Sequence, residues 1–198
     1  MTFATNHTVA TALILSAAAL TQTFPALAQN SRNGGGPRPP IVISCEPLTA
    51  EEARTLAFMR EEEKLARDIY QQLYSKWKLA AFNNISKSEE NHFQAIGTLI
   101  ARYGLADPAR DNPAGVYTDS RLTTLYHELL AKGLRSVKDA LEVGVLIERT
   151  DIADLEDALT ATSKLDLKRV YNNLMSGSYN HLEAFEANLE ILAPSVGN

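Results

Sequence analysis

The chain has 198 residues, 45% of them hydrophobic, a formal net charge of -5 and a single cysteine. That length suits one ordinary domain with one core. The acidic balance offers nothing to phosphate backbones or anionic lipid, and one cysteine cannot form an internal disulfide or a CxxC redox or zinc site.

The chain opens on an apolar, uncharged run from Val9 to Leu20, followed by Pro25 and the small-x-small pattern Ala26-Leu27-Ala28. This reads as a signal peptide over residues 1–28, cleaved after Ala28, and implies export to the periplasm or beyond. A membrane anchor is the alternative, since the n-region has only His7 and the amino terminus for charge. The run falls short of the roughly 20 residues that span a bilayer. No later segment could do so, and no stable membrane span is expected. Residues 29–46, with Gly34-Gly35-Gly36, Pro37, Pro39 and Pro40, read as a disordered linker. Cys45, at its end, reads as an exposed free thiol, with intermolecular pairing as the alternative.

From 47 to 195 the pattern is helical. Thr49 and Glu52 form a capping-box signature, and Leu56, Met59, Ala66, Ile69, Tyr70, Leu73 and Trp77 then recur at three- and four-residue steps. A second helix runs from near Phe82 to Tyr103, with Gly104 as its stop. A loop rich in turn formers follows, from Pro108 to Gly115. A short helix spans Leu122 to Lys132. Ser136 caps the next long helix, which carries apolar positions as far as Leu159. Thr162-Ser163-Lys164 make a turn, and the last helix runs from Leu165 to Leu192. Two hairpins joined by a crossover of about thirty residues predict an all-α, ferritin-like four-helix bundle whose long crossover carries a short extra helix.

Several inward positions on these helices are polar, which an ordinary apolar core does not tolerate. Glu63 precedes Ala66 by three residues and Tyr70 by seven, so it shares their face; Glu62, four before Ala66, is its rival. Taken alone, Glu61-Glu62-Glu63 would read as a solvated acidic run. Glu89 and His92 stand three apart and project from one helix face. Glu148 follows Gly144, whose lack of a side chain lets another helix approach, and Asp151 could join the same face or pair with Arg149 or Lys164. His181 lies on the last helix. His127, on the short helix, has no carboxylate at ligand spacing and reads as structural. Residues of an antiparallel hairpin share a height when the turn falls midway between them. Glu148 and His181 meet that condition at Thr162-Ser163-Lys164; Glu63 and the Glu89/His92 pair require a turn near Trp77, where no Gly or Pro marks one.

Together these residues resemble the ferritin-like superfamily, in which the first helix gives a Glu, the second a Glu-x-x-His, the third a Glu and the fourth another Glu-x-x-His. Residues 56–192 are similar in particular to the DUF2202 domain family, through Glu-Glu-Glu-Lys-Leu-Ala-Arg-Asp at 61–68, Ser-Glu-Glu-Asn-His at 88–92, Asp-Ile-Ala-Asp-Leu at 151–155 and Asn-His-Leu at 180–182. The first helix also resembles the rubrerythrin pattern Glu-x-x-Ala-Arg-x-x-Tyr, matched by Glu63, Ala66, Arg67 and Tyr70, which favours Glu63 over Glu62.

The resemblance implies a di-iron site with Glu63, Glu89, His92, Glu148 and His181 as ligands, manganese and zinc being accepted by the same donors. Ser178 stands where the second motif has Glu, so Asp151, water or an outside anion would have to complete the second position. The chemistry implied is oxidation of Fe(II) or reduction of oxygen or peroxide, with no catalytic residue assigned beyond the ligands. Tyr70 or Tyr179 is the candidate for a nearby hydrogen bond. The partners expected are metal ions and, for redox turnover, an external electron donor; a homodimer is left open. The competing reading is a non-catalytic metal-binding or helical interaction module.

Overall fold

The computed structural model describes residues 46–192. The leader over 1–28, its cleavage after Ala28, the linker up to residue 45 and Cys45 lie outside the described residues. Five helices follow in order: α1 Ala50–Trp77, α2 Ala80–Arg102, α3 Ser120–Gly133, α4 Val137–Ala161 and α5 Leu165–Leu192. No strand occurs among the described residues. No helix there is long and apolar enough to cross a membrane.

Three of the helix starts, those of α1, α3 and α4, have a side-chain cap. At α1 the capping box closes: Glu52 N–H donates to Thr49 Oγ1 at 3.1 Å and Thr49 N–H to Glu52 Oε2 at 2.8 Å. Both groups would otherwise be orphaned donors of the first turn. Asp119 and Ser136 cap α3 and α4 through their side chains. Gly104, at φ 65°, takes the left-handed conformation just after α2. The turn between α1 and α2 is made by Lys78 at φ 54° and ψ 22°, a conformation in which a side chain costs about 1 kcal/mol or more.

The long helices form a ring in which α1 packs on α2 and α4, and α5 on α4 and α2; α3 lies against α1 and α4. Two apolar cores fill it. One gathers Leu65, Ile69, Tyr70, Leu73, Phe82, Ile147 and Phe185. The other gathers Leu56, Met59, Ile96, Leu99, Leu155, Leu167 and Leu174. Between them every long helix has a polar stretch, around residues 60–64, 89–92, 148–151 and 178–181. Gly144 meets its expected purpose, because a Cβ there would fall 2.7 Å from the Phe185 ring. The far end is tied by Thr162 Oγ1, which donates at 2.6 Å to the buried Glu52 carboxylate.

Candidate metal centre

Residues 60–64 of α1, Arg-Glu-Glu-Glu-Lys, are all buried, so the alternative of a solvated acidic run does not hold. The reason is the connection between α2 and α3, which packs over α1 and takes up the side chains that a bare helix would hand to water. Arg60 reaches Asp107 with both ends of its guanidinium, at 3.2 and 2.9 Å, and also donates to the Phe93 carbonyl. Glu61 accepts from the backbone N–H groups of Thr118 and, at 3.0 Å, Asp119. Lys64, fully buried, donates to Asp68 at 2.6 Å and to the Pro113 carbonyl at 2.8 Å. Asp68 further accepts from Arg67, the Gly115 N–H and the Tyr117 hydroxyl. This network was not legible in the sequence: only Lys64 and Asp68 stand at helical pairing distance, and the other partners come from a loop whose path follows from no pattern.

Glu63 points the other way, into the polar layer between the cores. There the helices bring all five candidate ligands together. His92 Nδ1 lies 2.9 Å from Glu89 Oε2 and 3.4 Å from Glu63 Oε2. His181 Nδ1 lies 2.7 Å from Glu89 Oε1 and 3.4 Å from Glu148 Oε2. Two groups of ligand-type atoms result, Glu63, Glu89 and His92 in one and Glu89, Glu148 and His181 in the other. Glu89 is common to both and turns one oxygen to each histidine. The imidazoles stand nearly parallel, with ring centres 5.5 Å apart. Gly177 makes room for this: a Cβ there would fall 2.6 Å from His92 Nε2.

Short as these contacts are, the aim is wrong for hydrogen bonds. His92 Nδ1, His181 Nδ1, Glu89 Oε1 and Glu63 Oε1 are buried without a hydrogen-bond partner. Leaving such atoms unsatisfied costs about 1–3 kcal/mol each. Carboxylate oxygens and imidazole nitrogens converging in this way are the donor set of iron, manganese or zinc. Charge agrees: four buried carboxylates, Glu63, Glu89, Glu148 and Asp151, face two imidazoles. Two divalent ions would neutralise them with both imidazoles uncharged.

The acidities of the cluster express the same excess of negative charge. Burial raises Glu63 well above the ordinary carboxyl range, and the Asp151 charge adds to it. Burial and the Glu89 charge lift Glu148 to about 8. Asp151 is lifted to about 7, mainly by burial. Burial opposes the charge on His92, but Glu63 and Glu89 outweigh it and raise the imidazole to about 11. His181, balanced likewise between burial and the carboxylates of Glu148 and Glu89, rises to about 9. Glu89 alone goes down, to about 2, because the two histidines overcome its burial.

Around this inner set, Tyr70 donates to Glu148 Oε1 at 2.6 Å and is the tyrosine of the site. Tyr179 is not: it is 49% exposed and donates to Glu156 on the surface. Ser178, fully buried, donates at 2.5 Å to Asp151 Oδ2. Asp151 therefore pairs with neither Arg149 nor Lys164, which bind Glu186 and the Glu46 carbonyl. Its other oxygen, Oδ1, has no partner. Glu62 lies beside Asp151 and Asp154 rather than with the histidines, so Glu63 is the α1 member of the cluster. His127 is exposed, edge-on to Tyr126, and outside the site.

The fold and the cluster define a class: an all-α bundle with a buried carboxylate–histidine layer at mid-length. Residues 52–193 match the family model described as an uncharacterized protein domain, DUF2202, and the chain belongs to that family. It is 48% identical over 140 residues to uncharacterized protein MJ0754 of Methanocaldococcus jannaschii, covering 71% of this chain and 76% of the relative. A crystal structure of hypothetical protein MJ0754 superposes with a TM-score of 0.74 at 45% identity, over 76% of this chain and 86% of that one. A DUF305 fragment from Deinococcus radiodurans superposes at 0.58 with 12% identity, over 73% and 99% of the two chains, a likeness of fold alone.

Proposed function

We propose that the protein is an exported member of the ferritin-like class that binds two metal ions, iron foremost, in the central cluster and carries out oxidoreductase chemistry on Fe(II), oxygen or peroxide. The observation that carries this reading is the shared Glu89, flanked on each side by one histidine and one further carboxylate. The connectivity supports the class, since two hairpins, α1–α2 and α4–α5, are joined by a crossover bearing α3. Iron held by such donors supplies one-electron cycling between Fe(II) and Fe(III) at open coordination positions.

The chain's own residues have definable work in this scheme. Glu63, Glu89 and His92 would hold one ion and Glu89, Glu148 and His181 the other, with Asp151 available through its unpartnered oxygen in place of the carboxylate absent at Ser178. Tyr70 fixes the orientation of Glu148, and Ser178 that of Asp151. The apolar cores on either side keep bulk water from the layer. With no CxxC pair in the chain, reducing equivalents would come from an external donor.

Metal analysis by mass spectrometry of the purified protein, beside an E89A/H92A double variant, tests the reading. About two metal atoms per chain in the wild type and their loss in the variant are expected. Near-zero metal in the wild type after anaerobic Fe(II) loading overturns it. Ser178 in place of a carboxylate favours a second reading, a binding module without turnover. Oxygen consumption on adding Fe(II) separates the two, because a binder takes up metal once and stops.

A further inference from the structure

We propose that Asp157, Asp154 and Glu62 form a built-in route along which divalent cations pass from the surface of α4 to the central cluster, a deepening that rests on the metal-binding reading above. Glu148, Asp151, Asp154 and Asp157 follow one another at three-residue spacing. At 3.6 residues per turn each step climbs about 4.5 Å and drifts about 60° around the axis, so the series winds from one side of the helix to the other. Exposure follows the winding: Glu148 is 2% exposed and Asp151 6%, Asp154 is half-buried and Asp157 is exposed.

Glu62 of α1 closes the gap in the middle of this ladder. Its carboxyl group lies against that of Asp154 and near that of Asp151. Asp154 in turn senses the charge of Asp157. Consecutive members are thus within electrostatic reach of one another from solvent to cluster.

Two buried atoms along the way are unpartnered: Oε2 of Glu62, itself 7% exposed, and Oδ1 of Asp151. Among the described residues no Lys or Arg forms an ion pair with Glu62, Asp151, Asp154 or Asp157. Two other buried acids of α1, on the face toward the crossover, are treated differently, Glu61 receiving two backbone N–H groups and Asp68 a lysine and an arginine. Buried acids without a protein cation are costly to keep. A line of them leading inward lowers the barrier for a cation and raises its local concentration. The ladder is distinct from the cluster itself, because Glu62, Asp151 and Asp154 are not among the groups of ligand atoms that converge on one point.

Cobalt(II), whose visible absorption reports coordination, serves as the probe in stopped-flow mixing with the metal-free full chain at low ionic strength. E62Q and D154N are compared with wild type and with E156Q, a change at an exposed carboxylate of α4 off the ladder. Loading about ten-fold slower in E62Q and D154N, within two-fold of wild type in E156Q, and with equal final cobalt content by mass spectrometry, is the expected result. Because Asp154 is half-buried, D154N carries the test even where E62Q folds poorly. Unchanged loading rates in both variants overturn the route while leaving the metal site standing. A reduced final content in either variant also overturns it, making that acid a ligand. A wild type that takes up no cobalt overturns the route and the metal reading together.

Discussion

Helix α1 buries charge on two faces, and the two are resolved in opposite ways. Toward the crossover, Arg60, Glu61, Lys64 and Asp68 each meet a complementary group of the protein. Toward the bundle axis, Glu62 and Glu63 meet further acids, and oxygen and nitrogen atoms are left over. Equal burial thus serves different ends: the first face holds the crossover in place, and the second leaves oxygen and nitrogen atoms unpartnered, as the proposed metal binding would require. Satisfaction of polar atoms, not burial, separates structure from function here.

The largest effect that would break this contrast is in the first face. Asp68→Ala strands Lys64 in the interior, and removing one partner of a buried pair costs about 3–5 kcal/mol. Urea unfolding of the metal-free protein is expected to show that loss. Glu63→Gln, on the opposite face and equally buried, is expected to cost far less metal-free stability than Asp68→Ala, since burial and the Asp151 charge already disfavour the ionised Glu63 carboxylate. Its metal content should fall. Equal destabilisation by the two changes would erase the distinction between the faces.

Gly177→Ala sharpens the contrast from the neighbouring helix. The added methyl meets His92 Nε2, and overpacking of this kind costs about 1–3 kcal/mol. Thermal unfolding should register it, and metal affinity should fall with it as the imidazole is displaced. Alanine tolerated with no change in either measurement would show that His92 is not held by α5.

Acidity gives the third test. Glu148 at about 8, Asp151 at about 7 and His181 at about 9 all lie above their unfolded values, so the folded metal-free chain binds more protons than the unfolded chain between about pH 5 and 9. Stability is therefore lost as pH rises through that window. Glu89, lowered to about 2, acts in the opposite sense, but its contribution is lost only as pH falls below about 4.5. The melting temperature of metal-free protein should be lower at pH 9 than at pH 6 by at least about 3 °C, near 1 kcal/mol for a domain of this size. Metal affinity should move the other way, rising with pH as cations displace those protons. The smallest effect is Tyr70→Phe, which removes one hydrogen bond from Glu148 and should cost about 1 kcal/mol in denaturant unfolding.

The five candidate ligands and the all-helical class were legible because both follow from local rules. Glu89 and His92 share a face by spacing, and the midpoint of Glu148 and His181 falls where Thr162 ends α4. The turn after Trp77 carried no signal because Lys78 takes a left-handed conformation that sequence statistics assign to Gly or Asn. Asp151 was ambiguous for another reason: Ser178, which orients it, lies on a different helix. Glu62 and Glu63 are adjacent in sequence, and helix periodicity alone did not separate two inward-leaning neighbours. Asp154, part of the 151–155 segment, is marked by no local rule as a member of the inward series. The three-residue series from Glu148 to Asp157 is visible in the sequence, but its inward path becomes apparent only once α1 is laid beside α4.

Glu89 has one consequence beyond its position. A single carboxylate with an oxygen committed to each side makes the two halves of the layer thermodynamically inseparable. Whatever draws electron density through Oε1 changes the donor strength left on Oε2, so occupancy of one half resets the affinity of the other, and by linkage the influence is mutual. Under the proposed two-metal reading, filling would be a two-step ladder with unequal rungs, and a metal titration curve for this protein should deviate from that of two independent, identical sites.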